Sequence, residues 1–200
     1  KYPEFSPLED RMADAAGLWI DSFKQNRKTL LCGNGGSCAD CEHIVGELMK
    51  SFVRPRPLTK NEQAKFAELY GGEGAELGRS LQAALPAISL CSQTSLMTAI
   101  VNDMGSPWMY AQQVYGYGNA GDVLIAISTS GRSQNVVMAA MVGKVKQMSV
   151  IAFTGPNDSP LSQYADVTLQ TPGIHTADVQ QNHQRLYHLF CSLIEEALFS

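Results

Sequence analysis

Two hundred residues with 44% hydrophobic side chains suffice for one well-buried domain and exclude a disordered or collagen-like chain. A formal net charge of −4, with fifteen Lys and Arg residues scattered along the chain, leaves no basic stripe for nucleic acid or an anionic membrane surface. No apolar run approaches the ~18 residues of a membrane span, no signal pattern opens the chain, and the five cysteines are an odd number ill suited to a disulfide framework, so a soluble, cytoplasmic protein is expected.

Residues 6–26 place Leu8, Met12, Ala15, Ala16, Trp19 and Phe23 at spacings of three and four, behind an N-cap at Ser6 and a proline at the first helical position, Pro7. This predicts an amphipathic helix within 1–27, outside the strand and helix alternation that follows. Such a helix either covers a sheet or packs against another subunit. The chain begins with Lys1 rather than Met, which leaves room for a longer natural N-terminus.

Lys28-Thr-Leu-Leu31 reads as a buried strand that runs into Cys32-Gly-Asn-Gly-Gly-Ser37 and then a helix carrying Ile44, Val45, Leu48 and Met49. Three glycines in four positions let the backbone pass close to a ligand, and Ser37 with the first helical amides offers N–H groups to an anion. Packing alone also explains glycines between strand and helix. His43 and Glu47 are four residues apart on one helix face, placed one turn above the ligand turn, as a candidate base and a candidate metal ligand or as a solvated face. The pair Cys38 and Cys41 has no partner pair, and its spacing alone does not make a redox or zinc motif.

Arg54-Pro-Arg-Pro57 stops that helix, and 59–84 reads as an inserted polar segment with short helices over 60–70 and 74–84 around Gly71, Gly72 and Gly74. It is either a lid over the pocket or a surface elaboration. Residues 86–91 form the second strand, and 94–101 a helix ending near Asn102 and Asp103, which either bind sugar hydroxyls or make a turn. A helix over 108–117 and a turn at 119–122 precede the third strand, Val123-Leu-Ile-Ala-Ile127. It leads into Ser128-Thr-Ser-Gly-Arg-Ser133 and a helix over 134–146. The hydroxyls of Ser128, Thr129, Ser130 and Ser133 above a helix N-terminus form a cradle of neutral donors that suits a phosphate, although an N-cap cluster reads the same way. Two such loops after two strands are harder to assign to capping alone.

Strands over 149–153 and 166–169 complete an α/β pattern: a doubly wound, five-stranded parallel sheet flanked by helices, as one domain over 1–200, with its ligand at the carboxyl ends of the strands. The last helix, 176–198, carries an apolar stripe of Leu186, Leu189, Phe190, Leu193, Ile194 and Ala197. His183 at the stripe's edge reads as a core histidine. Gln180 and His188 fall on the other side, where His188 is either a functional group or part of a solvated face.

Taken together, Cys-Gly-Asn-Gly-Gly-Ser at 32–37, His43 with Glu47, Asn102 with Asp103, the run from Ala120 to Ser133, and Gln180 with His188 resemble the phosphoheptose (sedoheptulose 7-phosphate) isomerase family of the sugar isomerase (SIS) domain superfamily. The resemblance covers nearly the whole chain. It implies a five-stranded parallel sheet, a homotetramer with active sites between subunits, and interconversion of sedoheptulose 7-phosphate with a heptose 7-phosphate. It implies substrate contacts at Asn34, Gly35, Gly36, Asn102, Asp103, Ser128, Thr129, Ser130 and Ser133, beside the Ser37 contact inferred above. Glu47 and His188 would be the acid–base pair, and in some members the positions of His43, Glu47, Gln180 and His188 bind zinc, one ion per subunit. Two departures stand out: 59–84 intervenes where the family runs directly into Pro-Ala-Ile, and Cys38 and Cys41 occupy variable positions. Other members of the superfamily keep the fold as regulators that sense sugar phosphates or as an adaptor for a replication initiator. Retention of His188 and of an uninterrupted Ser-Thr-Ser favours the enzyme.

Overall fold

A computed structural model describes residues 2–199; Lys1 and Ser200, the outer ends of the 1–27 and 1–200 spans, lie outside the described residues. Five strands, β1 (Thr29–Gly33), β2 (Ala87–Ser89), β3 (Val123–Ile127), β4 (Ser149–Thr154) and β5 (Val167–Gln170), form one parallel sheet in the order β2-β1-β3-β4-β5. Every residue of β1 and β3 is buried, because helices cover both faces, and this is why both strands are continuous apolar runs rather than alternating ones. The helices are α1 (Glu9–Lys24), α2 (Gly36–Met49), α3 (Lys60–Ser80), α4 (Thr94–Asp103), α5 (Met109–Tyr117), α6 (Gln134–Val145) and α7 (Thr176–Phe199). Helices α1, α2 and α7 pack together as one group and α4, α5 and α6 as another.

The strand order reverses between β1 and β3, which lie side by side with Gly33 level with Ile127. Helices leaving neighbouring strands on opposite sides open a crevice there, at the carboxyl ends where open α/β sheets bind ligands. Asp122 fixes the other end of the same two strands. Its buried carboxylate accepts from the Lys28 backbone N–H at 3.0 Å, from Lys28 Nζ at 2.6 Å and from Asn119 N at 2.8 Å.

The N-terminal helix covers the sheet of its own chain. Ala15, Ala16, Trp19 and Phe23 are buried, Trp19 Nε1 donates to Thr29 Oγ1 at 2.7 Å, and the Trp19 ring lies 6.1 Å from Phe190. Its start differs from the Ser6 cap expected from sequence. A 3₁₀ turn spans Pro3–Leu8 with Pro7 inside it, anchored by buried Phe5, and α1 begins at Glu9 without a side-chain cap.

The inserted segment is a helical hairpin. Thr59 opens α3 with a capping box to Glu62, and Gly71, at φ 63° and ψ −136°, breaks the helix into two limbs. The limbs touch so closely that a Cβ on Gly74 would lie 1.9 Å from the Phe66 carbonyl oxygen. A bridge between Pro57 and Gln82 closes the stem. Below it the connection is tied to α7, where Glu195 accepts from the N–H groups of Phe52, Val53 and Arg54 and from Arg56 Nε at 2.6 Å. Among the described residues no helix is long and apolar enough to cross a membrane.

Candidate active site

The loop after β1 turns through Gly35 at φ 57°, a conformation open to glycine, and enters α2. Gly36 has no room for a side chain, since a Cβ there would lie 2.4 Å from Gln180 Nε2, so α7 lays Gln180 directly over the loop. Ser37 is placed differently from its expected role. Its side chain is buried and its N–H already donates to the Asn34 carbonyl at 3.0 Å, which leaves the amides of Gly35 and Gly36 for an anion.

The loop after β3 sits beside it. Ser128 Oγ donates to Ser133 Oγ at 3.1 Å, the Arg132 N–H donates to Ser130 Oγ at 3.2 Å, and Thr129 is tied to the next loop by Gly155 N–H on its carbonyl at 2.9 Å. Gly131, at φ 62°, is required where the side chain of Ser159 occupies the position a Cβ would take. Ser133 precedes α6 without capping it through its side chain, and Thr129, Ser130 and Ser133 are at least partly exposed beside that helix N-terminus while Ser128 is buried beneath Ser133.

The two loops are joined by a pair of reciprocal amide hydrogen bonds between Asn34 and Asn135, each 2.9 Å, and a cleft lined by Asn34, Ser106, Pro107, Ser133, Gln134 and Asn135 opens beside them. The sequence reading missed Asn135. Its only local signal was an amide side chain in the first turn of a helix, where such residues serve backbone and ligand groups alike. Asn102 and Asp103 end α4, exposed, with Asn102 Nδ2 donating to Asp103 Oδ1 at 2.8 Å. They do not line that cleft.

Further along α2, His43 Nε2 meets Glu47 Oε1 at 3.1 Å, and Lys50 Nζ donates to Glu47 Oε2 at 3.1 Å. From α7, Tyr187 OH meets His43 Nδ1 at 2.8 Å and the His188 ring lies edge-on to His43 with centroids 4.9 Å apart. Phe52 stacks on the other side of His188. His188 is therefore partly enclosed rather than free on a polar face. Burial, then the neighbouring His43, hold its pKa below the ordinary histidine value, against an opposing pull from Glu47. Tyr187 and Asp40, both missed at the sequence level, sit behind this cluster. Burial raises the Asp40 carboxyl, the nearby Tyr187 hydroxyl and His43 counteract it, and Asp40 Oδ2 is buried without a hydrogen bond.

His43 and Glu47 stand seven and eleven residues beyond Gly36, about 10 and 16 Å along the axis at 1.5 Å per residue, so they lie two and three turns from the glycine loop rather than one. Among the described residues no hydrogen bond or ion pair links this cluster to Ser128, Thr129, Ser130, Ser133, Asn102 or Asp103. One chain thus presents an anion cradle and an acid–base cluster as separate patches. His183 is fully buried, meets the Thr154 carbonyl through Nε2 at 3.1 Å and packs edge-on to Phe153, as expected of a core histidine.

A family model described as the SIS domain matches residues 66–155. The chain is 36% identical over 189 residues to a phosphoheptose isomerase from Burkholderia pseudomallei, with 94% of this chain and 81% of that protein covered. The chain belongs to the phosphoheptose isomerase family. Among solved structures, phosphoheptose isomerase GmhA from Neisseria gonorrhoeae matches with a TM-score of 0.75 at 33% identity, covering 94% of this chain and 87% of that one. A phosphoheptose isomerase from Francisella tularensis matches with a TM-score of 0.79 at 28% identity, covering 96% and 89%.

The zinc expected from the resemblance meets donors of the right type in the wrong arrangement. Both ring nitrogens of His43 are engaged, Glu47 is shared between His43 and Lys50, and Gln180 covers Gly36. Among the described residues no group of three or more His, Cys, Asp or Glu side chains is placed to hold a metal ion.

Proposed function

We propose that this member of the phosphoheptose isomerase family is an aldose–ketose isomerase acting on a sugar phosphate, interconverting sedoheptulose 7-phosphate and D-glycero-D-manno-heptose 7-phosphate through an enediol. The observation that carries the reading is the pair of loops at the β1/β3 switch point, a glycine turn and a hydroxyl cradle locked together by Asn34 and Asn135, in a chain with this kinship. Neutral donors and two helix N-termini suit a phosphate of about −1.5 to −2 charge. Asn34, Gly35, Gly36, Ser128, Thr129, Ser130 and Ser133 take the phosphate end, and Asn102 and Asp103 the sugar hydroxyls.

Glu47 takes the proton from the hydroxyl-bearing carbon beside the carbonyl and returns it to the neighbouring carbon. His188, kept uncharged at neutral pH by its depressed pKa, donates an N–H to the carbonyl oxygen and shuttles the proton between the two oxygens. Glu47→Gln is expected to lower kcat by about 10²- to 10⁴-fold while sugar-phosphate binding persists. A panel of ketose and aldose phosphates, assayed for isomerisation beside thermal-shift binding, decides between enzyme and regulator: binding of several with turnover of none overturns the isomerase.

The same reading places the protein in the cytoplasm as a homotetramer whose sites combine the cradle of one subunit with the acid–base cluster of another. The placement of His43 and Glu47 about 10 and 16 Å along α2 from Gly36 of their own chain supports it. A zinc ion on His43, Glu47, Gln180 and His188 requires those side chains to re-aim. Elemental analysis finding no zinc, together with full activity in chelator, removes it.

A further inference from the structure

The last turn of α2 is where that helix runs out of its own N–H donors, and the chain that follows supplies some of them. Arg56 reaches back to it with a buried guanidinium shared among three acceptors. Nη1 donates to the Leu48 carbonyl at 2.8 Å, Nη2 to the Glu47 carbonyl at 3.1 Å and Nε to Glu195 Oε1 at 2.6 Å, while the Phe199 ring centroid lies 4.9 Å from its Cζ. A cation at this place also meets the negative end of the helix dipole. Glu195, about two turns beyond His188 on α7, holds the chain leaving the helix. Its Oε1 accepts from the Phe52 N–H at 2.9 Å, and its Oε2 from the N–H groups of Val53 at 2.7 Å and Arg54 at 2.8 Å. The Phe52 ring fixed in this way is the one stacked on His188, with centroids 5.6 Å apart and planes 19° from parallel. One partner of the buried pair thus grips the backbone of Glu47, and the other, through Phe52, borders the ring of His188.

We propose that Arg56 and Glu195 are positioning residues for the acid–base pair: Arg56 sets the last turn of α2, and with it Glu47, while Glu195 sets Phe52 against His188. The proposal rests on the isomerase reading of Glu47 and His188 given above. Neither residue touches the reacting atoms; both act through the groups they hold. A buried ion pair adds little net stability over well-packed apolar side chains of similar volume, but apolar side chains cannot reproduce its directed hydrogen bonds to two carbonyls and three N–H groups. The planar fork of an arginine is what allows one side chain to serve two carbonyls and a carboxylate at once; a lysine in its place keeps the charge and loses that geometry. A base displaced by about 1 Å from its proton costs on the order of 10²-fold in rate, so small movements of this turn matter more to chemistry than to the fold.

The test uses Arg56→Lys, which keeps a positive charge beside Glu195, and Phe52→Leu, which strands no charge and stands in should the first variant fail to fold. In Arg56→Lys, kcat on the sugar phosphate should fall about 10- to 100-fold with KM within about twofold of wild type, and in Phe52→Leu about 10-fold. Because Arg56 acts through Glu47, adding Arg56→Lys to Glu47→Gln should lower the residual turnover by less than about twofold; residues that work as a unit do not multiply their losses. A merely structural role would lower the denaturant midpoint and leave kcat per folded enzyme unchanged. Positioning is also read apart from turnover: the imidazole ¹H–¹⁵N signals of His43 and His188, recorded at one pH, should move in both variants while those of His183, packed on Phe153, stay in place. Moved signals in a protein whose wild type turns over no sugar phosphate would fail the isomerase reading and leave the positioning of this cluster standing. Unmoved signals, a rise in KM with kcat unchanged, or losses that multiply in the double variant would overturn the proposal.

Discussion

Tyr187 packs edge-on to both His43 and His188, and the effect of its hydroxyl, which reaches His43, is separable from chemistry at Glu47. Its hydroxyl meets His43 Nδ1 at 2.8 Å, which orients Nε2 toward Glu47. Tyr187→Phe leaves the ring packing and removes that anchor, so kcat should fall about 10- to 100-fold with KM nearly unchanged; a rise in KM alone would show that the hydroxyl serves binding. His183 makes a different prediction. Burial lowers its pKa to about 4, against the hydrogen bond to Thr154 that favours the charged form. The unfolded chain therefore binds the proton first, and stability present above about pH 6.5 is lost as pH falls towards 4, on the order of 3 kcal/mol. Urea titrations of wild type and His183→Gln across that window should differ in slope, and parallel curves would refute the assignment. At this scale the sequence displayed what is local. The glycine turn, the Ser-Thr-Ser cradle and the edge position of His183 follow from neighbours in the chain. Asn135, Tyr187 and Asp40 were invisible because each acquires its role from a partner more than a hundred residues away or from burial by another helix.

Strands β1, β3 and β4 were legible because near-complete burial writes itself as continuous apolar runs, and the break in α3 because two adjacent glycines interrupt a helical pattern. What the pattern could not show is that the hairpin limbs pack on each other through Gly74 and Gly78, or that α1 starts after a 3₁₀ turn instead of at a serine cap. Nor did Glu195 stand out in the last helix, although it organises the connection between α2 and α3. Its carboxylate and the Arg56 guanidinium are 1% and 0% exposed and 2.6 Å apart. Burial opposes its charge, but three backbone N–H groups and Arg56 prevail and leave its pKa below the ordinary value. Glu195→Gln strands a buried guanidinium, and a loss of about 3–5 kcal/mol is expected in denaturant unfolding. A loss under 1 kcal/mol would mean that solvent reaches Arg56.

For the whole molecule, the apolar stripe of the N-terminal helix was one reason to expect a partner subunit, and that reason is gone, since Trp19, Phe23 and their neighbours are buried against the chain's own sheet and α7. The expectation of a tetramer rests instead on what remains uncovered and on what remains apart. Met49, Val53, Trp108 and Leu193 are large apolar side chains between 42% and 66% exposed, two of them on the helices that carry Glu47 and His188. The acid–base cluster is also two and three turns of α2 away from its own glycine loop. On the proposed assembly, a subunit docked over α2 and α7 would cover Met49 and Leu193 and would bring another cradle or another Asn102 and Asp103 to Glu47. Closed symmetry makes such contacts reciprocal, so the tetramer should hold four equivalent sites. Light scattering at micromolar concentration should give four times the chain mass of 21.7 kDa. A charge placed on the uncovered face, Leu193→Glu, should break the assembly and abolish turnover together while leaving the fold's circular dichroism intact. A stable monomer with full activity would show that each chain completes its own site.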